Sequence, residues 1–297
     1  MYDKIQDQAR IANVRDVAQQ RYFYDIPEEA IPPELEAKLD RQIIERALSP
    51  LEGNFNRVVS RVIDKATNRG LFRGVLDTLL LTHGKRITRR EKSALSFFVA
   101  LQFIRTREFR LTLKDGLEQF ESVVRTLVPS DKLDEFFEGF RGVDDANVRM
   151  HSLSMMFDRE FVRDLSQKIY RHILVLGINS SKHALYTSDN PMVRQAHKKH
   201  PVLRHVGVGS PGIEIAMPLS SHHILIFLEK SHFSKWAKWD RKAVHLKEEQ
   251  VEYYNSLQVR GCERQLYCAY DDFDLAREFC QRWPERCAEE RRRVVVE

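Results

Sequence analysis

Long hydrophobic runs are missing from the 297-residue sequence. No apolar stretch approaches the roughly 20 residues that a membrane-spanning helix requires. Residues 1–7 are charged and polar and lack the apolar centre of a signal peptide. Both absences predict a soluble, intracellular protein of the cytoplasm that has no membrane partner.

The common sequence motifs of nucleotide and ester chemistry are also absent. The chain has no P-loop, no glycine fingerprint for dinucleotides and no nucleophile elbow around a serine. These absences argue against the familiar NTPases, dehydrogenases and α/β-hydrolases. The residues identify no cofactor, which therefore stays unknown.

Cysteine is scarce and is confined to the C-terminal part of the chain. The four cysteines are Cys262, Cys268, Cys280 and Cys287. Their spacing contains no CxxC pair of the kind that binds zinc, and cytoplasmic proteins keep their thiols reduced. We therefore expect free thiols, with a four-cysteine zinc site or a disulfide as alternatives.

What the sequence does contain is a strong helical pattern. Between residues 109 and 127, apolar residues recur every three or four positions, which predicts an amphipathic helix. Thr88 and Glu91 form a capping-box pattern ahead of a segment, residues 94–104, that is apolar on nearly all sides. This segment is predicted to be a buried helix.

Further helices are predicted on either side of this region. Ser49 and Pro50 have the pattern of an N-cap followed by the first helical position. One long helix is expected from about residue 145 to residue 168, and C-terminal helices are expected over 248–270 and from 273 to about 282.

Between these helical regions the residue pattern becomes typical of β-strands. The apolar run at 172–178, a turn and residues 183–188 predict a β-hairpin, and 213–217 with 223–228 predict a second strand pair. The fold class is therefore α+β, mostly α-helical, with a small antiparallel β-sheet between about 172 and 228. We expect a single domain made of an N-terminal extended or linker segment (1–33), a helical part (34–170), the sheet (171–230) and C-terminal helices (231–297).

A carboxylate and a carboxamide stand side by side at Asp189 and Asn190, at the end of a predicted strand. Pro191 ends the strand because proline donates no hydrogen bond to a sheet. Side chains at a strand end can face a cleft, so Asp189 and Asn190 are the candidate catalytic residues, as general base, metal ligand or hydrogen-bonding clamp. The alternative is an Asx-type turn in which both side chains bond to nearby backbone groups.

Three more polar residues are candidates for substrate binding. Gln102 and Arg105 are three positions apart on the predicted buried helix and share a face. A buried arginine requires a partner, which is either a carboxylate, with Asp189 and Glu52 as the first candidates, or an anionic ligand. Asn255 is predicted in the middle of a helix, where asparagine is unfavourable, and could complete the pocket.

Two clusters of basic residues suggest an anionic partner. His197, Lys198, Lys199, His200 and His205 lie in a predicted loop, where contact with phosphate is favoured over metal binding because no carboxylate has a clear ligand spacing. The other cluster is Lys85, Arg86, Arg89, Arg90 and Lys92, which is interpreted as a solvated face with nucleic acid as the alternative partner. The net charge of +5 permits this partner without requiring it.

The nuclease hypothesis has one weakness in the strand region. A common carboxylate nuclease site combines an acidic residue with a lysine on an adjacent strand. Glu214 lies on a predicted strand, but no lysine follows two positions later. Apart from the alternatives already given for Asp189, Asn190 and the cysteines, no residue is assigned as a metal ligand.

Several short segments, in order, resemble the uncharacterised, largely prokaryotic DUF4238 family. The matching pieces are Phe23-Tyr24, Leu51-Glu52, the segment at 101–106, Ser188-Asp189-Asn190-Pro191, Met217-Pro218-Leu219-Ser220 and Asn255-Ser256-Leu257-Gln258 leading to Tyr267. The family's usual N-terminal His-Tyr-Val-Pro segment has no match. The resemblance implies a helical domain with a small sheet and supplies no settled activity, although some relatives are associated with phage defence.

The first functional hypothesis is a prokaryotic effector that acts hydrolytically on nucleic acid, linked by the resemblance to phage defence. Asp189 and Asn190 would be catalytic, and Gln102, Arg105 and Asn255 would bind the substrate. The alternatives are a non-catalytic binding or regulatory module and a hydrolase of a small phosphorylated or nucleotide substrate. The oligomeric state is left open.

Overall fold

The computed structural model describes residues 1–12, 43–67, 86–133, 137, 143–198, 207–288 and 291. The Phe23-Tyr24 segment and the basic residues Lys85, Lys199, His200 and His205 lie outside the described residues. Helix accounts for 54% of the structure and strand for 18%, so the prediction of a mostly helical α+β fold is confirmed.

A mixed five-stranded sheet lies at the centre of the described structure. Its strand order is β5-β6-β7-β3-β8, and all neighbours are antiparallel except β3 and β8. Its strands are β3 (Ile173–Asn179), β5 (Val193–Ala196), β6 (Ile213–Ser220), β7 (His223–Leu228) and β8 (Lys242–Leu246). The predicted pairing of 213–217 with 223–228 is confirmed, and the parallel strand β8 extends the sheet beyond residue 228.

The predicted hairpin between 172–178 and 183–188 is wrong. Strand β3 pairs with β7 on one side and with β8 on the other. Because β3 is apolar and almost completely buried, it requires a neighbouring strand on each side, which is the position of a central strand. Residues Thr187–Ser188, labelled β4, belong instead to a second sheet.

The second sheet is small and joins both ends of the described chain. Its order is β2-β1-β9-β4, with β1 at Tyr2–Asp3, β2 at Gln8–Ala9 and β9 at Gln265–Tyr267. The N-terminal extended segment thus pairs with a strand from the far end of the sequence. Strand β9 also corrects the prediction of continuous helix over 248–270.

Eight α-helices are present among the described residues. They are α1 (Ile43–Thr67), α2 (Arg89–Ile104), α3 (Arg107–Leu127), α4 (Asp145–Phe157), α5 (Arg159–Tyr170), α6 (Glu248–Gly261), α7 (Asp274–Arg282) and α8 (Pro284–Cys287). The predicted capping box of α2 is confirmed, since the Thr88 side chain accepts from the Glu91 amide and the Glu91 side chain accepts from the Thr88 amide.

Two helix boundaries differ from the prediction. Pro50 lies inside α1 rather than at its start, because Leu48 is buried in the same core as Val58 and Val62 and the helix continues upstream of the proline. The expected helix over 145–168 is interrupted at Asp158. The Asp158 carboxylate accepts hydrogen bonds from the amides of Glu160 and Phe161 and so begins a new helix.

The five-stranded sheet is covered on both faces. One face packs with α2, α4 and α5 in the largest core, which contains Leu174, Ile215 and Phe227. The other face packs against α6 through residues such as Val251 and Leu257. Among the described helices, none combines the length and apolar character needed to cross a membrane.

The cysteines differ from the expectation of free thiols. Cys280 and Cys287 form a disulfide between α7 and α8, whereas Cys262 and Cys268 are free. The CxxC rule could not anticipate this pair, because the two cysteines are seven positions apart and the short helices bring them together.

Candidate functional site

Asp189 is the centre of a buried polar contact between two loops. Its Oδ1 accepts a hydrogen bond from the Glu263 amide at 2.8 Å, and its Oδ2 accepts from the amides of Arg264 and Gln265 at 2.7 and 2.8 Å. The Asp189 amide in turn donates to the Gln265 carbonyl oxygen at 3.1 Å. The carboxylate therefore holds the turn that leads from α6 into β9.

The electrostatics of Asp189 combine two opposing influences. Burial raises the pKa of its carboxyl above the usual value, while the three amide donors and the neighbouring Lys4 act to lower it. The Lys4 ammonium is itself buried and donates to the Cys262 carbonyl oxygen at 2.6 Å. Both charged groups thus form hydrogen bonds with backbone groups of the same turn.

Asn190 and its neighbours continue the contact along the end of α6. The Asn190 side-chain amide donates to the Gly261 carbonyl oxygen at 2.8 Å. The Ser188 hydroxyl donates to Gln258 Oε1 at 2.7 Å, and Gln258 Nε2 donates to the Pro191 carbonyl oxygen at 2.9 Å. Ser188, Asn190 and Gln258 are all buried.

Asn255 occupies the next turn of α6 and makes the same kind of contact. Its Oδ1 accepts from the Tyr186 amide at 2.8 Å, and its Nδ2 donates to the Ala184 carbonyl oxygen at 2.9 Å. Asparagine is a poor helix former, but here it satisfies two buried backbone groups of the adjacent loop. We refer to Ser188, Asp189, Asn190, Asn255 and Gln258 together as the Asp189 seam.

The remaining two predicted site residues, Gln102 and Arg105, lie at the C-terminal end of α2. Arg105 Nη1 contacts Glu52 Oε1 at 2.5 Å, so Glu52 is one of its partners. Gln102 is partly buried. Arg107 follows this helix end as the first residue of α3. It lies 3.5 Å from Glu263, whose amide donates to Asp189. The structure therefore brings Asp189, Asn190 and Asn255 together and shows Arg105 in an ion pair with α1.

A second polar cluster lies at the opposite end of β5. His197 Nε2 is 2.7 Å from Glu214 Oε2, and the hydroxyls of Tyr253 and Tyr254 donate to the same carboxylate at 2.9 and 2.8 Å. Glu214 is 5% exposed, whereas the His197 side chain is 32% exposed. Burial, followed by the neighbouring Glu214, raises the pKa of both tyrosines, so their hydroxyls stay protonated as donors.

His232, on the connection between β7 and β8, faces His197. The centroids of the two imidazole rings are 6.0 Å apart, and the rings are inclined by 27°. The Phe233 ring meets His197 and His232 edge-on, with centroids 5.1 and 4.7 Å away. We refer to His197 and His232 as the histidine pair.

Two basic segments that are far apart in the sequence meet close to this cluster. The amides of Arg86 and Ile87 donate to the Arg241 carbonyl oxygen at 2.9 and 3.1 Å. Residues 230–242 contain five lysines and arginines and one acidic residue, Asp240. The start of α2, with exposed Arg89 and Arg90, thereby adjoins a second basic segment.

Lys92 corrects the interpretation of the basic cluster at residues 85–92 as a solvated face. It is 4% exposed, and its ammonium donates to Asp240 Oδ1 at 2.8 Å and to the His172 carbonyl oxygen at 2.6 Å. Burial lowers the pKa of Lys92, Asp240 opposes that change, and the charges of Lys230 and Arg241 lower the pKa further. The like charges around Lys92 confirm that the two basic segments are neighbours.

One group of described side chains has the composition of a metal site. Ligand atoms of His183, Glu248 and Glu252 lie within 4.8 Å of one another. His183 Nδ1 is also 2.8 Å from Asp272, and Lys182 lies 3.4 Å from Glu248. Because Glu248 and Glu252 are exposed and His183 already contacts two carboxylates, these contacts also form a surface ion-pair network.

The sequence marks several residues of this second polar cluster but does not connect them. His197 was predicted to contact phosphate, and Glu214 was considered as an acidic strand residue. The signal that joins them is the register of β5 and β6, in which Gln195 pairs with Glu214. His232, Tyr253 and Tyr254 were missed because no pattern in the sequence relates them to His197.

One family matches nearly the whole chain. The family described as "Protein of unknown function (DUF4238)" matches residues 1–272. No curated protein and no solved structure matches the chain.

Proposed function

The chain belongs to the DUF4238 family of proteins of unknown function, and we propose that it binds nucleic acid through its two adjoining basic segments. The observation that carries the proposal is the pair of hydrogen bonds from Arg86 and Ile87 to the Arg241 carbonyl oxygen. They join basic residues that are about 150 positions apart in the chain, as expected for a phosphate-binding surface assembled by the fold.

The composition of the second segment also favours nucleic acid over a simple anion. Trp236 and Trp239 lie among its lysines, and the ammonium groups of Lys238 and Lys242 are 5.8 and 5.7 Å from the Trp239 ring centroid. Aromatic rings between cations are typical of surfaces that bind single strands, because bases stack on the rings while phosphates contact the cations. The exposed cations Lys235 and Lys238 are available for phosphate contacts.

Hydrolysis of the bound nucleic acid by the Asp189 seam remains a prediction, with Asp189 and Asn190 as catalytic residues and Gln102, Arg105 and Asn255 as substrate-binding residues. The hydrogen bonds of the Asp189 carboxylate to three amides instead favour the second candidate function, a non-catalytic binding or regulatory module. Action on a small phosphorylated substrate and a link to phage defence also remain predictions.

The experiment is a salt titration of binding to single-stranded RNA and DNA. The variant Lys235→Glu/Lys238→Glu should bind at least about tenfold more weakly at low salt. The slope of log affinity against log salt should also decrease by about 1 to 2, because about two phosphate contacts are lost.

The matched control is Arg159→Glu/Arg163→Glu, which makes the same charge change on exposed positions of α5. Equal losses of affinity in the two variants would indicate a general charge effect and would contradict the proposed surface. Affinity of the wild-type protein that does not change with salt would do the same.

A further inference from the structure

The histidine pair has the geometry of an acid and a base that act on one group. The ring centroids are 6.0 Å apart and the ring planes are inclined by 27°, so one phosphate group lying along the edges of both rings could contact a nitrogen of each. Phe233 packs edge-on against both imidazoles and limits their rotation. Both histidines are exposed, so a ligand can reach them.

The contacts of His197 define which of its nitrogens is the base. Nε2 lies 2.7 Å from the buried Glu214 carboxylate, which as an acceptor takes a hydrogen bond from Nε2–H. The lone pair is then on Nδ1, to which no described residue contributes a hydrogen bond. The Tyr253 and Tyr254 hydroxyls also donate to this carboxylate, at Oε2 and Oε1 respectively. His197 is thus an imidazole with one nitrogen anchored and the other available to accept a proton.

His232 is held through its backbone, which leaves its ring available. The His232 amide donates to Glu229 Oε2 at 3.1 Å, and the same oxygen accepts from the Gly212 amide at 2.9 Å. The Gly212 carbonyl oxygen accepts from the His197 amide at 2.9 Å. Gly212 and Glu229 therefore connect the backbones of the two histidines, while within the described part of the chain no hydrogen bond is made to the His232 ring.

We propose that the histidine pair cleaves RNA by attack of the 2′-hydroxyl on the adjacent phosphate, an inference that rests on the proposed binding of nucleic acid. His197 Nδ1 removes the 2′-hydroxyl proton, and the 2′-oxygen forms a bond to phosphorus. The bond from phosphorus to the 5′-oxygen breaks, and this leaving oxygen takes a proton from the protonated His232 ring.

The products are a 2′,3′-cyclic phosphate and a 5′-hydroxyl end. The reaction consumes no co-reactant, because the proton gained by His197 equals the proton lost by His232, and exchange with water restores both rings. The substrate class is RNA because DNA lacks the 2′-hydroxyl that attacks.

The test uses the full chain with a mixed-sequence single-stranded RNA, and it measures binding and product ends separately. Wild-type protein should release fragments that end in a 2′,3′-cyclic phosphate, and the same strand with 2′-deoxyribose throughout should stay intact. His197→Ala and His232→Ala should each cleave at least about 100-fold more slowly. Both variants should bind the RNA as the wild type does.

His222→Ala is the matched control, since His222 is also an exposed histidine at a turn of the same sheet. It should cleave at the wild-type rate. His197→Gln provides a second variant if His197→Ala does not fold, as judged by circular dichroism.

RNA that is bound but not cleaved by the wild-type protein would overturn this inference and leave the proposed binding intact. Unchanged cleavage by either alanine variant, or equal cleavage of the deoxyribose strand, would also overturn it. Absence of RNA binding by the wild-type protein would overturn both proposals together.

Discussion

The Asp189 seam and the histidine pair lie at opposite ends of β5 and use their polar side chains in opposite ways. In the seam, the Asp189, Asn190 and Asn255 side chains bond to backbone groups; Asn190 and Asn255 are buried, and Asp189 is partly buried. In the pair, His197 is anchored through one nitrogen and His232 through its backbone, and both rings reach the surface.

The difference shows that the kind of residue at a strand end does not by itself define a site. A carboxylate whose oxygens accept three amide hydrogen bonds has little capacity left for a ligand or a proton in transit. An imidazole with one anchored nitrogen is both oriented and available. The seam should therefore be important for stability, and the histidine pair for interaction with a ligand.

The sharpest test of the comparison is Asp189→Ala. The change leaves three partly buried amides without their acceptor and removes one of the counter-charges of the buried Lys4. We expect the free energy of unfolding to fall by about 3 to 5 kcal/mol, measured by urea denaturation.

His197→Ala is the counterpart on the other side of the comparison. Its ring is partly exposed, so the same measurement should show a loss of about 1 kcal/mol or less. Equal losses for Asp189→Ala and His197→Ala would remove the distinction between the two regions.

Within the seam, Asn255→Leu is expected to have a smaller effect than Asp189→Ala. Leucine fills a similar volume but leaves the Tyr186 amide and the Ala184 carbonyl oxygen unsatisfied in a buried position. The free energy of unfolding should fall by about 2 to 3 kcal/mol in urea denaturation. Ser256→Ala is the control, because the Ser256 hydroxyl donates to the Tyr253 carbonyl oxygen of its own helix, and a comparable loss there would contradict the assignment to the loop contact.

Gly212→Ala should reduce stability by about 1 to 2 kcal/mol, because Gly212 has a φ of +78°. An added Cβ would also lie 2.9 Å from Lys198 Cγ. Gly116→Ala on α3 is the matched control, since no described residue outside the adjoining helix backbone lies within 4 Å of an added Cβ and alanine favours a helix. Thermal unfolding should show opposite shifts for the two variants, and a stabilised Gly212→Ala protein would be inconsistent with the described turn.

The smallest expected effect concerns Glu229, which supports the backbone of His232. Burial acts to raise the pKa of Glu229, but hydrogen bonds from Gly212, Ser231 and His232 prevail and lower it to about 2 from its ordinary value of 4.5. Its contribution to stability is therefore complete above pH 4.5 and is lost as the pH falls towards 2.

Glu229→Gln should reduce the loss of stability over that pH range, measured as the free energy of unfolding at a series of pH values. Glu278→Gln provides the comparison, because Glu278 is exposed on α7. A Glu229→Gln protein with the full acid sensitivity of the wild type would show that Glu229 does not stabilise the turn.

Regular elements were the part of the fold that could be predicted from the sequence. Helix α3 follows from apolar residues at intervals of three and four, and α2 follows from the Thr88 capping box. Strands β6 and β7 follow from two apolar runs separated by a short turn. In each case the signal lies within a few positions of the chain, where periodicity and capping operate.

The elements that were missed depend on distant partners. Strands β4 and β9 are two and three residues long, which is too short for an alternating pattern, and each exists because the other lies beside it. Asp189 and Asn255, which were predicted to share a site, lie on a loop and a helix that meet in the seam, and their role in a site stays a prediction. The sequence could not show that the hydrogen-bonding partners are backbone groups, because it does not specify where backbone amides point.

The pairing of both chain ends in the second sheet has a consequence for the order of folding. Tyr2 lies opposite Leu266, and Arg264 contacts Asp3 at 2.7 Å, so these contacts close loops of more than 250 residues. Contacts of such high sequence separation form late, because the intervening chain must first become compact. During synthesis, the N-terminal hairpin must wait without its partner strand until residue 267 has left the ribosome. The turn that the Asp189 carboxylate holds is thus formed after every strand of the five-stranded sheet has been synthesised.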